Sequence, residues 1–243
     1  MKTSIALLAL ASLATATNAV KCSVKPAPAP SNSTSVGFSQ YFDEAKFKEV
    51  FPQALDFYTF KGLIDAAAKF PEFANTGVEL DDKRELAAFF AQMGYESDSF
   101  KAAETYAKDK FPVTQFCDAT KAPCAEGKRY HGRGPIMLSM NFNYYNAGKA
   151  IGQDLINNPE LVSTDKAITW QAALWYWMSD QGAGAIHDTV AKDFSVSTQI
   201  MNGGQECGPD APAKETEIKR IANYKAMCEK MGIEPVTKLS CNE

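Results

Sequence analysis

The sequence predicts a mainly α-helical (α+β) domain with one long irregular segment that can hold a small hairpin. Three observations carry that reading. Apolar residues recur at three- and four-residue spacing through several separate stretches, the period of a helix with one buried face. Between residues 111 and 137 the pattern gives way to Pro, Gly and polar side chains, and loops on a rigid scaffold are where chemistry tends to sit. The 243 residues are 45% hydrophobic and 22% charged, with fifteen phenylalanines, enough apolar matter for one large core and too much for a disordered or fibrous chain.

In order along the chain, Lys2 precedes an apolar run from Ile5 to Ala14 and small residues to Ala19. That pattern reads as a secretory signal peptide over residues 1–19, with cleavage after Ala16 as the rival. It is too short for a membrane anchor, which needs about 20 apolar residues. Residues 20–37 form a Pro- and Ser-rich leader, stiff and then flexible, with a glycosylation sequon at Asn32-Ser33-Thr34. Residues 38–243 read as one domain. Stretches 43–50 and 58–70 have helical character. Asp81-Asp82 can cap a helix carrying Leu86, Phe89, Phe90 and Met93. A second stripe of Ile168, Ala172, Leu174, Trp175 and Met178 follows Thr164-Asp165, and a third of Ile218, Ile221, Ala222 and Cys228 ends at Gly232.

Charge and cysteine usage narrow the function. A formal net charge of −4 gives no basic excess for tracking phosphates, so a nucleic-acid partner is not expected. No second apolar stretch is long enough to span a bilayer, and the expected protein is soluble, secreted and extracellular. The six cysteines, Cys22, Cys117, Cys124, Cys207, Cys228 and Cys241, would then meet an oxidising compartment that favours disulfides. Their pairing is open, although Cys117 and Cys124 close a short loop around Pro123 as an easy local pair. No C-x-x-C occurs, and His131 and His187 have no ligand-like neighbours, so neither a metal nor an organic cofactor is expected.

Glu96 falls three residues after Met93 and seven after Phe89, at the end of the apolar face of its helix. A carboxyl there is partly desolvated, which raises its pKa, and an acid that keeps its proton can protonate a leaving group. Glu104 is a second carboxyl eight residues on. On one unbroken helix the two would lie about 12 Å apart, but Ser97-Asp98-Ser99 can break the helix and turn the chain back. Inverting glycosidases hold such a pair about 6.5–9.5 Å apart, leaving room for a water.

The stretch Lys128-Arg129-Tyr130-His131-Gly132-Arg133-Gly134-Pro135-Ile136-Met137-Leu138-Ser139, continuing Met140-Asn141-Phe142-Asn143-Tyr144, resembles the family 19 glycoside hydrolases, the plant-type chitinases. Their signature is K-x-Y-Y-G-R-G-P-I-Q-L-S-x-N-Y-N-Y. Matches continue in order through Ala150-Ile151-Gly152, Asn158-Pro159, Ala173-Leu174-Trp175-Tyr176-Trp177-Met178, Ile200-Met201-Asn202-Gly203-Gly204, Glu206-Cys207-Gly208 and Arg220-Ile221.

The resemblance implies a lysozyme-like, two-lobed helical fold with a substrate cleft. It implies single-displacement hydrolysis of β-1,4 bonds in chitin or chito-oligosaccharides, without cofactor, by a protein expected as a monomer. Glu96 aligns with the general acid and Glu104 with the general base, while Ser139 resembles the residue that helps hold the water. Asn143, Asn202, Tyr130, Arg220 and Glu206 join the expected sugar-binding set, the last two also as a charged pair behind the acid. Cys117–Cys124 and Cys207–Cys241 match two family disulfides, leaving Cys22 and Cys228 to pair or stay free.

Tyr95 stands where the family has His, Ser97-Asp98-Ser99 replaces a Thr-Gly-Gly turn, and Met137 and Phe142 replace Gln and Tyr. The last two exchanges remove hydrogen-bonding groups expected in the cleft. Trp170, Trp175 and Trp177 could stack on sugars or fill the core, with the core favoured for Trp175. Arg133 either faces the cleft or serves a salt bridge, and His187 beside Asp188 reads as a surface cap. Two rivals stand beside chitin hydrolysis: the same fold acting on another N-acetylhexosamine polymer such as peptidoglycan, and a non-catalytic chitin-binding decoy.

Overall fold

An aromatic nucleus fixes where the helices lie. Phe38, Phe42, Phe47, Phe51, Phe60, Phe90, Phe100 and Trp170 are buried together. Phe42 lies 4.5 Å from Phe90 and Phe51 4.6 Å from Phe100, measured between ring centroids, in the tilted and edge-on arrangements that rings prefer. The computed structural model describes residues 37–243. The expected signal peptide, the leader up to residue 36, Asn32 and Cys22 lie outside the described residues.

Around that nucleus run α1 (Glu44–Val50), α2 (Phe60–Ala67), α3 (Glu79–Glu96), α4 (Asn141–Ile151), α5 (Leu161–Thr164), α6 (Ile168–Met178), α7 (Ser195–Glu206) and α8 (Lys214–Lys230). Strand pairing among the described residues is confined to isolated bridges, two of which join Glu104 to Arg133 and Arg133 to Leu138. Those bridges are the hairpin character expected of the irregular segment. The longest helices, α3 and α8, pack against each other; α2 and α4 lie on α6, and α7 lies on α8.

Helices α1 and α2 start at side-chain caps. Asp43 accepts from the Lys46 amide at 2.8 Å and Thr59 from the Gly62 amide at 3.1 Å. Asp165 accepts from the amides of Ala167 and Ile168 at 2.8 and 2.9 Å, as its place before the second stripe implied. Asp81-Asp82 do not cap α3, which begins at Glu79. Asp82 instead ties down the preceding turn, accepting from the Thr76 amide and hydroxyl. Helix α8 ends in a Schellman motif: Gly232, at φ 66°, donates to the Glu229 carbonyl and Ile233 to that of Cys228.

The third stripe requires correction. Ile218 is 67% exposed, while Glu217, Arg220, Tyr224, Met227 and Cys228 face inward. The buried face of α8 is partly charged because Arg220 is ion-paired and Glu217 hydrogen-bonded, a pattern that hydrophobic periodicity cannot register. Cys228 is a free, buried thiol, pushed up to about 11 by burial. Cys117–Cys124 and Cys207–Cys241 are disulfides.

His187 is also not a surface cap. Its Nδ1 lies 2.7 Å from Oε1 of the buried Glu85, which also accepts from Trp177 Nε1 at 2.9 Å, while Glu85 Oε2 accepts from the Ala74 amide. The hydrogen bond to Glu85 raises the His187 pKa against the opposing effect of burial. All three tryptophans are buried in the core.

The close approach of α2 to α6 depends on Gly62. A Cβ there would meet the Lys166 carbonyl oxygen at 2.5 Å and Trp170 Cδ1 at 3.0 Å. Gly62→Ala should therefore destabilise the fold by about 1–3 kcal/mol. Gly204→Ala in α7, where a Cβ meets nothing within 4 Å, should stabilise it by about 0.5–1 kcal/mol. Urea unfolding of both variants measures the contrast, and a Gly62→Ala protein as stable as wild type would mean that the contact has slack.

Candidate active site

Helix α3 ends because its last turn is captured by Ser97, whose hydroxyl donates to the Met93 carbonyl at 2.6 Å and accepts from the Phe100 amide at 3.0 Å. Asp98, Ser99 and Phe100 then all take positive φ, at 51°, 59° and 63°, a left-handed run costly for residues with a Cβ. Burial of Phe100 in the aromatic nucleus favours the turn. So do backbone bonds from Leu55 to Phe100 and from Ala102 to Ser97, and the Tyr58 hydroxyl donating to the Ala102 carbonyl at 2.8 Å. Glu96 thus closes a helix, and Glu104 follows on a segment folded back beside the chain at Arg133.

Glu96 lines a cleft of about 320 Å³ with Ser139, Met140, Asn143, Tyr176 and Asn202. Its side chain is 21% exposed and its Oε1 accepts from Arg220 Nη2 at 2.6 Å. Behind it Arg220 bonds Glu206 through Nε at 2.9 Å and Nη2 at 2.9 Å, and donates from Nη1 to Gln92 at 2.7 Å. The Tyr95 ring stacks 4.2 Å from that guanidinium, so Tyr95 braces Arg220 from one face. Burial pushes the Glu96 pKa up; the Arg220 charge and hydrogen bond pull it down, and the Glu206 charge pushes it up again, leaving it raised. Glu206 is also opposed by burial, but hydrogen bonds from Arg220 and Asn202 hold it below the usual carboxylate range.

Asn202 reaches the cleft because α7 is kinked there, with φ −151°, and its Nδ2 donates to Glu206 at 2.7 Å. Asn143, on the first turn of α4, donates to the Ser139 carbonyl at 2.9 Å. The start of α4 is stapled by Asn141, which accepts from the Asp118 amide at 2.8 Å and donates to the Ala122 carbonyl at 2.6 Å, binding it to the disulfide loop. Tyr176 is among the cleft residues that the sequence reading did not single out, with Met140 and Met201. It lies between two buried tryptophans on α6, and its outward position relative to them was the available signal.

Glu104 is not among the walls of that cleft. Its backbone pairs with Arg133, which pairs with the wall residue Leu138, two steps of about 4.8 Å each. Glu104 Oε1 accepts from Arg133 Nε and Ser163 Oγ, both at 3.0 Å, and its other oxygen pairs with Lys108. Burial opposes ionisation, but hydrogen bonds from Lys108, Arg133 and Ser163 and the charge of Arg133 prevail, holding the pKa at about 2. Arg133 therefore serves the salt bridge, with further bonds to the Arg129 carbonyl and the Tyr144 hydroxyl.

Three expected sugar contacts are corrected. Tyr130 is 0% exposed, its hydroxyl spent on the Ala125 amide and the Ile156 carbonyl. Arg220 and Glu206 are each 1% exposed, so they hold Glu96 and cannot touch a sugar. Met137 packs its sulfur 3.9 Å from Thr105 Oγ1, and Phe142 lies under the Lys121 ammonium. Neither lines the pocket at Glu96. Among the described residues, the group spaced to hold a cation is Cys207, Glu217 and Cys241, but its two sulfurs form a disulfide.

Comparison with known proteins gives concordant results. A family model described as chitinase class I matches residues 39–241. Endochitinase B of Zea mays is 37% identical over 188 residues, covering 76% of this chain and 63% of its own length, so the chain spans under two thirds of that relative. Inactive chitinase-like protein 1 of Hevea brasiliensis is 36% identical over 214 residues, with 77% of this chain and 68% of that protein covered. Among solved structures, chitinase C from Streptomyces griseus HUT6037 superposes with a TM-score of 0.76 at 36% identity, covering 84% of this chain and 81% of that one. The mainly helical, lysozyme-like fold expected from the resemblance is the fold observed.

Removing Arg220 would leave Glu206 charged and buried without its counter-ion. Arg220→Met should cost about 3–5 kcal/mol at neutral pH. In the variant the Glu206 pKa rises, so protonation relieves the loss as pH falls, whereas wild-type Glu206, held low, stays ionised further into acid. Denaturant melts at pH 7 and pH 4 should show the gap narrowing at the lower pH, and a gap independent of pH would contradict this account.

Proposed function

The chain belongs to the chitinase class I family, glycoside hydrolase family 19, and from that membership we propose that it is an endochitinase cleaving β-1,4 bonds between N-acetylglucosamine units with inversion. The observation that carries the reading is the opposite perturbation of two carboxyls joined by one tight turn. Glu96, raised, is the carboxyl suited to give a proton to the glycosidic oxygen; Glu104, held at about 2, stays ionised. Carboxyls pushed apart in this way divide into an acid and a base.

On this reading a sugar chain lies in the cleft with its scissile oxygen against Glu96. Asn143 and Asn202 offer amides to N-acetyl and hydroxyl groups, and Tyr176 offers an aromatic face. Ser139 and Glu104 hold and deprotonate the water on the far side of the anomeric carbon. Glu104 reaches that water once its exposed partner Lys108 swings aside, since Arg133 and Ser163 occupy only one carboxylate oxygen. The reading includes a secreted protein with residues 1–19 removed, residues 20–37 as leader and residues 38–243 as the catalytic domain.

A second reading is favoured by the clamp on Glu104 and by the inactive relative: a protein that binds chitin without turning it over. Hydrolysis of N-acetylglucosamine hexamer by the purified protein excludes it, and bacterial cell walls assayed in parallel test the peptidoglycan alternative.

Glu96→Gln should lower hexamer hydrolysis by at least about a hundredfold with hexamer Kd nearly unchanged; full turnover in the variant would reject Glu96 as the acid. If water attacks directly, a proton NMR time course of wild-type hydrolysis gives the α-anomer first. Initial β-anomer would instead require a covalent intermediate.

A further inference from the structure

A buried polar side chain without partners calls for a cause. The His131 side chain is 5% exposed, and neither its Nδ1 nor its Nε2 has a hydrogen-bond partner. The backbone around it is firmly held. Its carbonyl accepts from the Tyr144 hydroxyl at 2.7 Å, and the Gly132 carbonyl accepts from the Thr105 amide at 2.9 Å. So the fold fixes the ring in place yet leaves both nitrogens unused, with Nε2 3.6 Å from Glu104 Oε1, just beyond hydrogen-bond length.

Glu104 presents the complementary problem. As the base it must take a proton from water, yet even with Lys108 aside the Arg133 and Ser163 bonds and the Arg133 charge still lower its pKa, and acid–base catalysis is most effective when the group's pKa lies near the working pH. The groups facing His131 are Glu104 and Lys108 from the segment after α3, Arg133 from its own segment, and Tyr144 from α4. Burial and the Arg133 charge lower the His131 pKa and Glu104 raises it, with a net lowering. The resting ring is therefore neutral and able to accept, and an imidazole remains more basic than such a carboxyl. In the family signature a tyrosine, which cannot play this part, stands at this position.

We propose that His131 is the proton acceptor behind Glu104, so that the two work as a relay when water attacks. This rests on Glu104 being the base of the chitinase reading. The water O–H bond breaks and its oxygen bonds to the anomeric carbon. Its proton reaches Glu104 Oε2, the oxygen that Lys108 releases, and rotation of the protonated carboxyl delivers it to the lone pair of His131 Nε2, while Nδ1 keeps the proton of the neutral ring. The result is an imidazolium beside a restored carboxylate. The glycosidic oxygen leaves with the proton of Glu96. Solvent then takes one proton from His131 and returns one to Glu96, so each turnover consumes one water and no net proton. His131 acts through Glu104 and never touches the sugar.

Two measurements test the relay. In kcat–pH profiles on N-acetylglucosamine hexamer, His131→Phe and His131→Tyr should each lower kcat at neutral pH by about tenfold. Both should lose the acid-side inflection due to the imidazole, with KM within about twofold of wild type. The tyrosine variant keeps the family residue should phenylalanine disturb folding. The chain has two histidines, so an imidazole NMR titration separates His131 from His187 directly. In Glu104→Gln the His131 midpoint should move to lower pH, because the carboxylate that favours the imidazolium is gone, while the His187 midpoint stays. A wild type that cleaves hexamer while both His131 variants match it in kcat and pH profile overturns the relay alone. So does a His131 midpoint indifferent to Glu104→Gln. A wild type that cleaves no hexamer removes the chitinase reading, and the relay with it.

Discussion

The buried guanidinium of Arg220 is the contact on which the site depends. Taking such a group out of water costs several kcal/mol unless its donors are satisfied, and here Nε, Nη1 and Nη2 all have acceptors, drawn from α3 and α7. One cation thus joins three helices at the point where the cleft opens. It also sets a charge balance. With one positive and two negative groups in a shielded place, the cluster favours holding one proton. Glu206, doubly bonded by Arg220 and bonded again by Asn202, is the better-stabilised anion. The pKa that rises is therefore that of Glu96, the member that faces the cleft, and a structural ion pair bears directly on the carboxyl proposed as the acid.

The aromatic nucleus contributes the other half of the geometry. Three consecutive left-handed residues are unfavourable in isolation, and the turn after Glu96 persists because Phe100 occupies the middle of the core. Packing on one side of α3 thereby dictates where Glu104 emerges on the other. The disulfides brace the same region. Cys207, one residue past Glu206, is joined to Cys241, and Cys117–Cys124 closes the loop that Asn141 ties to the first turn of α4.

What could be read in the sequence follows from the range of the interactions. Local periodicity located α1, α2, α3 and α6, and Gly232 marked the end of α8, because these are decided by neighbours three or four residues away. The collinear motifs reached Glu96, Ser139, Asn143 and Asn202, which line one cleft. Tyr130 was misassigned because a motif position does not say which way a side chain points, and its hydroxyl closes a loop inside the core. The inward face of α8 and the Glu85–His187 pair were misread for a shared reason. Burial was equated with apolarity, whereas charges that find partners 14 to 128 residues away are buried at little cost. The clamp of Lys108, Arg133 and Ser163 on Glu104 assembles from separate segments, and no single window of sequence contains it.

The replacement of histidine by Tyr95 follows from the same electrostatics. At that position an imidazole could carry a second positive charge beside Arg220, or compete for its acceptors. A phenol adds no charge at neutral pH, and its pKa is raised further by burial, with Glu206 and Glu96 adding to the rise against the pull of Arg220. It offers the guanidinium a π face at 4.2 Å instead, an attraction that needs none of the in-plane N–H groups. Arg220 can then be held from above by Tyr95 while its donors remain committed to Glu96, Glu206 and Gln92. The exchange leaves the contacts of Arg220 with Glu96, Glu206 and Gln92 intact.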